Sequence, residues 1–374
     1  MLYKKSIMIY AGCASASCSV VSVYDRIKKK RSDRTMKTLI LAIVAVFTAL
    51  CSLNTDSALK AEFQQKGDIS GYAETVTFDR ELPDFYTDKN GDFTVLQFTD
   101  THFTTMTSLN DRFLLQKMKS QTEKYEPDLV VVTGDMIDDG NDGKFNKAYV
   151  LRTVAEAFEE MDQYWAYVPG NNDGINYGTS EDVVAYLSQY EHCLVSDVPE
   201  ISGGCQYSLD IYDESELIHS MLFIDTMDYD NDDPDHTYGY VHADQVQWCE
   251  DEINSKKVQN DDVFVSVFLH ENTPDFFRAA QEGEKYKWYY PEVTSQLEKY
   301  NIPKNQPLDD VFRNSGCVGL LSMGHKHPAA AECSFYNGIY YHVTPQTVLA
   351  STLITIHTGE DNVREMYDFE SVYC

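Results

Sequence analysis

The chain has 374 residues, of which 43% are hydrophobic and 24% charged, the balance of an ordinary globular protein rather than a disordered one. Its formal net charge is −30 at pH 7, and residues 1–37 hold nine of the basic residues and two of the acidic ones. The remaining 21 basic and 58 acidic residues make a strongly acidic domain. Such a domain repels phosphate backbones, so we expect no nucleic-acid partner.

The N-terminal part of the sequence has the pattern of an export leader. Residues 38–53 form an uncharged apolar run directly after a basic segment. This run has the length of a signal peptide and is slightly short for a membrane span, so a cleaved signal and a signal anchor both stay open. Met36, followed by Lys37, would begin a standard short leader, and residues 1–35 are then an upstream extension.

These observations divide the chain into three parts. We expect a leader over 1–58, a linker with an entry hairpin over 59–90 and one large domain over 91–374. The protein is then secreted or extracytoplasmic. If the leader stays uncleaved, the N-terminal segment alone contacts a membrane.

From residue 91 onward, short apolar runs alternate with amphipathic stretches. Runs rich in Val and aromatic residues are typical of strands buried on both faces. Five of them cover residues 93–100, 128–135, 164–173, 263–272 and 318–327. Helix-like stretches cover about 109–125, 144–161, 181–190, 242–257 and 308–315.

The C-terminal half adds further strands. Residues 208–215 and 216–226 have the pattern of paired strands around an acidic turn, and 338–345 and 351–359 follow as late strands. Strands that alternate with helices, followed by a strand-rich half, predict an α/β fold of two packed sheets flanked by helices.

Each of the five predicted strands ends in residue types that bind metal ions. The candidates are Asp100, His102, Asp135, Asn171, His270, His325 and His327. The carboxyl ends of strands form the crevice of an α/β sheet, so these side chains are expected to meet. Carboxylates, imidazoles and one amide oxygen suit Mn, Zn or Fe.

Local sequence supports the same interpretation. On an extended segment, alternate positions point the same way, so Asp100 with His102, and His325 with His327, can each direct two ligands together. A glycine precedes Asp135, Asn171 and His325, where it allows the backbone to turn sharply beside the metals.

The order of these motifs, D-x-H, GD, GN, H and GHxH, resembles the calcineurin-like metallophosphoesterase superfamily. The surrounding sequence is most similar to the purple-acid-phosphatase-related branch, which has D-x-H in its first motif. The similarity covers about residues 92–350, and five motifs in one order are far more specific than GD or GHxH alone. It implies a four-layer sandwich of two mixed sheets between helices.

The resemblance also implies a binuclear centre of two divalent metal ions. The first ion would have Asp100, His102 and His327, the second would have Asn171, His270 and His325, and both would share Asp135. Two metals in such a site stand roughly 3.5–4 Å apart and clamp the attacking and leaving oxygens. A hydroxide acidified by the metals would attack phosphorus in line, which implies hydrolysis of phosphate mono- or diesters of a small molecule or a protein.

One position departs from the family pattern. The third motif normally continues with a histidine that protonates the leaving group, and Asn172 stands there in this chain. Asparagine donates a hydrogen bond but no proton, and general acid catalysis is worth roughly 10²–10⁴-fold. Asp173 or Glu271 is a candidate substitute for the acid. The alternative is a catalytically impaired pseudophosphatase that binds phosphorylated ligands.

Six of the nine cysteines lie beyond the leader. Behind an export signal they could form disulfides, and the pairs closest in sequence are Cys193 with Cys205 and Cys317 with Cys333. Buried free thiols are an equal alternative.

Overall fold

The computed structural model describes residues 69–138, 147–174, 178–228, 238–286, 302–328, 331–360 and 362–373. Residues 67–374 form one compact unit. The predicted leader, and the linker up to residue 68, lie outside the described residues. Within the described ranges, no helix is both long enough and apolar enough to cross a bilayer.

The smaller of two sheets has five strands in the order β13-β12-β2-β3-β4. Its strands are β2 (Asp92–Phe98), β3 (Leu129–Thr133), β4 (Trp165–Val168), β12 (Ala350–His357) and β13 (Tyr367–Tyr373). Strands β2, β3 and β4 are parallel, and β12 joins β2 in the antiparallel sense. The carboxyl ends of β2 to β4 therefore meet at one edge.

The larger sheet has eight strands in the order β1-β5-β6-β7-β9-β11-β10-β8. Its strands are β1 (Phe85–Tyr86), β5 (Gln206–Asp213), β6 (Glu216–Ile224), β7 (Phe264–Phe268), β8 (Glu284–Tyr286), β9 (Val318–Met323), β10 (Glu332–Tyr336) and β11 (Ile339–Val343). The central strands β6, β7, β9 and β11 are parallel to one another.

Seven α-helices occur in the described ranges. They are α1 (Leu109–Tyr125), α2 (Lys147–Glu159), α3 (Ser180–Leu187), α4 (Ala243–Gln259), α5 (Pro274–Glu282), α6 (Gln306–Ser315) and α7 (Val363–Met366). The start of α1 is fixed by Ser108, whose side chain accepts a hydrogen bond from the Asp111 backbone N–H, an N-cap. Its end is fixed by Glu126, which has a left-handed backbone.

Two hydrophobic cores separate the layers. One lies between the sheets and under α1 to α3, and Phe223 and Phe268 of the large sheet contribute to it. The other lies between the large sheet and helices α4 to α6, and Leu222 and Val267 contribute to it. Successive strand residues thus face opposite cores, as the period of a strand requires. The predicted α/β fold of two packed mixed sheets flanked by helices is confirmed.

A buried polar contact joins the two sheets. Ser322 on β9 donates a hydrogen bond from Oγ to Gln97 Oε1 on β2. The Ser322 Oγ also lies 2.7 Å from Nδ1 of His342 on β11. All three side chains are fully buried.

Parts of the structure were not anticipated from the sequence. Strands β8, β10 and β13 and helix α5 carry no predicted element. In the segment 69–90, expected as a linker, β1 pairs in parallel with β5, and Phe85 is buried.

Of the two alternatives for the cysteines, the structure has free thiols. Cys193, Cys205, Cys249 and Cys317 are free and buried, and Cys333 is also buried. Cys374 lies outside the described residues.

Candidate metal centre

The candidate residues follow the strands that meet between the two sheets. Four of them stand two positions beyond a strand end: Asp100 after β2, Asp135 after β3, His270 after β7 and His325 after β9. Asn171 stands three positions beyond β4. The parallel strands therefore bring residues from distant parts of the sequence to one edge, as predicted for an α/β crevice.

One group of side chains comprises Asp100, His102, Asp135 and His327. One ligand atom from each lies within 4.8 Å of all the others. His327 Nε2 is 2.9 Å from Asp100 Oδ1 and 3.1 Å from His102 Nε2. His102 Nε2 is 3.7 Å from Asp135 Oδ2. We call these four residues the open group.

A second group comprises Asp135, His270 and His325, whose ligand atoms also lie within 4.8 Å of one another. Asn171 joins it, because its Oδ1 is 2.9 Å from His325 Nδ1 and 3.3 Å from His270 Nε2. We call these four residues the closed group. All seven predicted ligands are thus together, and Asp135 belongs to both groups.

The Asp135 carboxylate faces the two groups with different oxygens. Its Oδ2 is the atom near His102, at 3.7 Å, and its Oδ1 lies 3.5 Å from His270 Nε2. The shared carboxylate therefore directs one oxygen toward each of the two groups.

The backbone at these positions is not the extended segment expected from the sequence. Positive φ angles occur at Asp100 (51°), His102 (43°), Asp135 (47°), His325 (71°) and His327 (47°). The ligand pairs therefore converge through left-handed turns rather than through the alternation of a strand. Asp and His tolerate this conformation better than branched residues do.

Glycines allow the loops to approach so closely. Gly134 has a φ of 80°, and a Cβ at Gly170 would lie 2.3 Å from Asp135 Oδ1. A side chain at Gly170 would therefore displace the shared carboxylate. The predicted need for a glycine before Asp135 and before Asn171 follows from these two constraints.

The electrostatics of the site call for positive charge. Burial alone would raise the pKa of Asp135, but the neighbouring His270 and His102 hold it below its usual range. Burial would lower the pKa of His270, but Asp135, Asp100 and Glu271 raise it to about 10. These two shifts have the same cause, the attraction between the buried carboxylates and positive charge. The donor set of carboxylates, imidazoles and one amide oxygen fits divalent metal ions in that role.

A comparison with known families identifies the family of the chain. A family model for calcineurin-like phosphoesterases matches residues 93–346, more than half of the chain. The chain belongs to the calcineurin-like phosphoesterase family. This match leaves the purple-acid-phosphatase-related branch as a prediction. A comparison with curated proteins finds no significant match.

Two solved structures are similar to this calcineurin-like phosphoesterase at low sequence identity. A dimetal phosphatase from Danio rerio has a TM-score of 0.51 at 13% identity, over 75% of this chain and 98% of that one. A protein from Staphylococcus aureus described as a putative 5′-nucleotidase has a TM-score of 0.44 at 12% identity, over 75% of this chain and 53% of that one. The Danio rerio likeness supports the fold alone.

Asn172 of this calcineurin-like phosphoesterase contacts the shared carboxylate directly. Its side-chain Nδ2 donates to Asp135 Oδ2 at 2.6 Å, and its backbone N–H donates to Asp135 Oδ1 at 2.8 Å. The residue predicted to stand in place of the acid therefore lies within the site, where it holds the shared carboxylate through two hydrogen bonds.

Asp173 is buried and turned toward the backbone. Its Oδ1 accepts from the Ile137 N–H at 2.9 Å, and its Oδ2 accepts from the Gly170 N–H at 2.8 Å. Burial and the nearby Asp135 raise the pKa of Asp173. Through these two hydrogen bonds, Asp173 connects the loops that follow β3 and β4. Its predicted catalytic role stays a prediction.

Two neighbours of His325 complete the surroundings. Glu271 is buried, with Oε2 3.3 Å from His325 Nε2, and burial raises the pKa of Glu271 to about 7. The Tyr238 ring packs edge-on against the His325 ring, with centroids 4.6 Å apart. Sequence analysis missed Tyr238, because a tyrosine outside the metal-binding motifs gave no signal of proximity to His325.

Proposed function

We propose that this chain hydrolyses phosphate mono- or diesters with two divalent ions, Mn, Zn or Fe. The family supports a hydrolase that acts on phosphoesters, and the clustered Asp and His residues suit divalent metal ions. The observation that carries the proposal is the Asp135 carboxylate, which directs one oxygen to each of two ligand groups.

Each group would hold one ion. The open group offers Asp100, His102, His327 and the shared Asp135, and the closed group offers Asn171, His270, His325 and the shared Asp135. Bound divalent ions would lower the pKa of water, to supply a nucleophile, and would neutralise charge on the phosphoryl group. The chain supplies orientation, because the backbone N–H of His325 donates to Asp100 Oδ2 at 3.0 Å.

Substrate approach is from the side of the open group. The His327 side chain is 40% exposed and that of His102 is 19% exposed. The domain as a whole is strongly acidic and repels a phosphorylated small molecule or protein. Bound cations would reverse the local potential, so binding of phosphate is expected to require metal.

Asn172 limits which esters would react. Its amide can donate a hydrogen bond to a phosphoryl or leaving oxygen, but it has no proton to transfer. We expect the chain to favour esters whose leaving group is a stable anion, since those barely need protonation.

A second candidate function is favoured by the same residue. Asn172 Nδ2 donates one of its two N–H groups to Asp135 Oδ2, and the amide has no proton to transfer. A protein that binds phosphorylated ligands without turnover, a pseudophosphatase, would retain the metal ligands and lack the acid. The predicted leader adds the proposal that either activity is extracytoplasmic, with membrane contact confined to an uncleaved N-terminal segment.

The test is an assay of purified protein that has been stripped of metal and reloaded with Mn²⁺ or Zn²⁺. We expect about two equivalents of metal per chain and hydrolysis of p-nitrophenyl phosphate or its bis-ester. Two equivalents of metal without hydrolysis of either ester would support the pseudophosphatase. Failure of the wild-type protein to bind either ion would overturn the binuclear proposal.

A further inference from the structure

Glu271 lies directly after the predicted ligand His270, yet it points to a different histidine. Its backbone N–H donates to Thr226 Oγ1 at 3.0 Å, which fixes the chain where it leaves β7. Its side chain is buried, and Oε2 lies 3.3 Å from Nε2 of His325. A carboxylate is therefore within hydrogen-bond reach of the ring nitrogen that faces away from Asn171.

The opposite nitrogen of His325 faces the candidate metal position. Nδ1 is 2.9 Å from Asn171 Oδ1, the amide oxygen of the closed group. An imidazole can bind a metal through one nitrogen only if that nitrogen carries no proton, and the other nitrogen then carries it. Glu271 is placed to accept that other N–H.

His270 in the same group has the matching arrangement with a different acceptor. Its Nδ1 lies 2.7 Å from the Thr133 carbonyl oxygen, to which it donates, and its Nε2 faces Asn171 and Asp135. Both histidines of the closed group thus have an acceptor at the far nitrogen. A neutral carbonyl serves His270, and a carboxylate is available to His325.

The difference in charge matters because the closed group is poor in anions. The open group has Asp100 of its own and shares Asp135, whereas the closed group adds only an amide and two imidazoles to the shared carboxylate. A carboxylate behind a ligating imidazole raises the basicity of the ligand and orients its ring. Glu271 would supply through His325 the negative charge that the closed group lacks.

Burial of Glu271 also fits this role. An isolated carboxylate removed from water is destabilised unless it is paired. Lys326 provides positive charge nearby, and the polarised N–H of a metal-bound His325 would provide a hydrogen bond.

We propose that Glu271 is a positioning residue for the closed-group metal. It holds His325 as the Nε2–H tautomer, so that Nδ1 is presented to the ion, and it strengthens that ligand electrostatically. This inference rests on the proposed binuclear function and assigns Glu271 no contact with substrate. Changes at such outer partners typically lower metal affinity by roughly 10–100-fold.

The experiment titrates the metal-stripped full chain with Zn²⁺ or Mn²⁺ by calorimetry, with elemental analysis after equilibrium dialysis. For Glu271→Ala we expect one of the two metal sites to weaken by about 10–100-fold, with the other unchanged. Glu271→Gln keeps the volume and an acceptor oxygen but loses the charge, so we expect a smaller loss at that same site.

Glu252→Gln is the matched control, because Glu252 is a half-buried glutamate on α4 that pairs with Lys256 in the outer helical layer. We expect this variant to bind both ions as the wild type does. If Glu271→Ala does not fold, the metal affinity of the isosteric Glu271→Gln variant tests the proposal.

The possible failures are distinguishable. Wild-type protein that binds no metal overturns the proposed function and this inference with it. Wild-type protein that binds two ions while both Glu271 variants do the same overturns the positioning role alone. Equal weakening of both metal sites in the Glu271 variants also overturns it, since that result means general damage to the fold.

Discussion

The open and closed groups share the Asp135 carboxylate and have two imidazoles each, but they differ in their access to water. In the open group the His102 and His327 side chains are 19% and 40% exposed, whereas in the closed group those of His270 and His325 are 0% and 8% exposed. In the closed group, the Thr133 carbonyl oxygen also contacts His270 Nδ1, and the Glu271 carboxylate contacts His325 Nε2. The open group is therefore suited to admit ligands, and the closed group is suited to retain an ion.

The largest effect is expected from removal of Asp135, which the open and closed groups share. Asp135→Ala should deplete metal at both positions and lower the rate by about 10³-fold or more, because several kcal/mol of metal-derived stabilisation are lost. Elemental analysis and the p-nitrophenyl phosphate assay measure the two effects. Asp244→Ala, at an exposed position on α4, is the control. Full retention of either ion in Asp135→Ala would show that the carboxylate does not bridge.

The second test compares one histidine from each group. His327→Ala should weaken binding mainly of the open-group ion, and His270→Ala that of the closed-group ion. Each loss of metal affinity should exceed the roughly 10–100-fold that is typical when a residue behind a ligand is changed. His270→Ala should also lower the melting temperature more, since it leaves Asp135 buried with fewer partners. Metal content during dialysis against a chelator, followed over time, measures the exchange.

In the wild type we expect one ion to leave the protein well before the other. Simultaneous loss of both ions, together with equal effects of the two variants, would remove the distinction between the groups.

The third test concerns Asn172, which borders both groups through Asp135. Asn172→His restores a group that can carry a proton, so hydrolysis of an alkyl phosphate should rise by up to about 100-fold relative to an aryl phosphate. The variant also removes the amide that donates to Asp135 Oδ2, so metal content must be measured in parallel. Asn172→Ala separates loss of this hydrogen bond from gain of the acid. An unchanged ratio of alkyl to aryl rates in a metal-replete Asn172→His protein would exclude this position as the acid site.

The smallest expected effect tests whether burial alone, without a neighbouring carboxylate, accounts for the pKa of a histidine such as His270. His342, between the sheets, is as buried as His270, but burial without a carboxylate neighbour lowers the pKa of His342 to about 3. The unfolded chain, with a pKa near 6.5, then binds more protons than the folded one below that pH. The stability that a neutral His342 contributes is therefore complete above pH 6.5 and is lost as the pH falls towards 3.

His342→Gln should flatten this acid dependence by about 1.4 kcal/mol per pH unit. Urea unfolding between pH 4.5 and 7, with chelator present, measures the slope for the variant and the wild type. An identical slope in both proteins would mean that His342 is already protonated or hydrated in the folded state.

Much of the fold followed from local sequence. The five apolar runs are strands, and α1 spans Leu109–Tyr125 as predicted, because Ser108 supplies an N-cap and Leu114 and Met118, one turn apart, are buried. The seven candidate ligands could be placed together because the ends of parallel strands share an edge. Their metal-binding roles follow from residue chemistry and resemblance and stay predictions.

The remaining elements depend on contacts that a local pattern does not contain. Strands β1 and β8 have two and three residues, too few for a periodic signal, and form only because a neighbouring strand accepts their hydrogen bonds. The direction of the Glu271 side chain depends on Thr226 and His325, which are distant in sequence. Likewise, only the fold shows that Asn172 hydrogen bonds to Asp135.

The left-handed backbone at five of the seven candidate ligands has a consequence for protein engineering. Such conformations cost of the order of 1–3 kcal/mol for residues other than glycine, and the packed strands around the loops maintain them. Replacement of His102 or His327 by glycine would relieve the backbone strain but would remove a candidate metal ligand. Selection for thermal stability alone would therefore favour a more stable protein without activity. A thermostable form that keeps its chemistry has to gain its stability elsewhere, for instance at Ile253 and Phe312 in the core beneath α4 to α6.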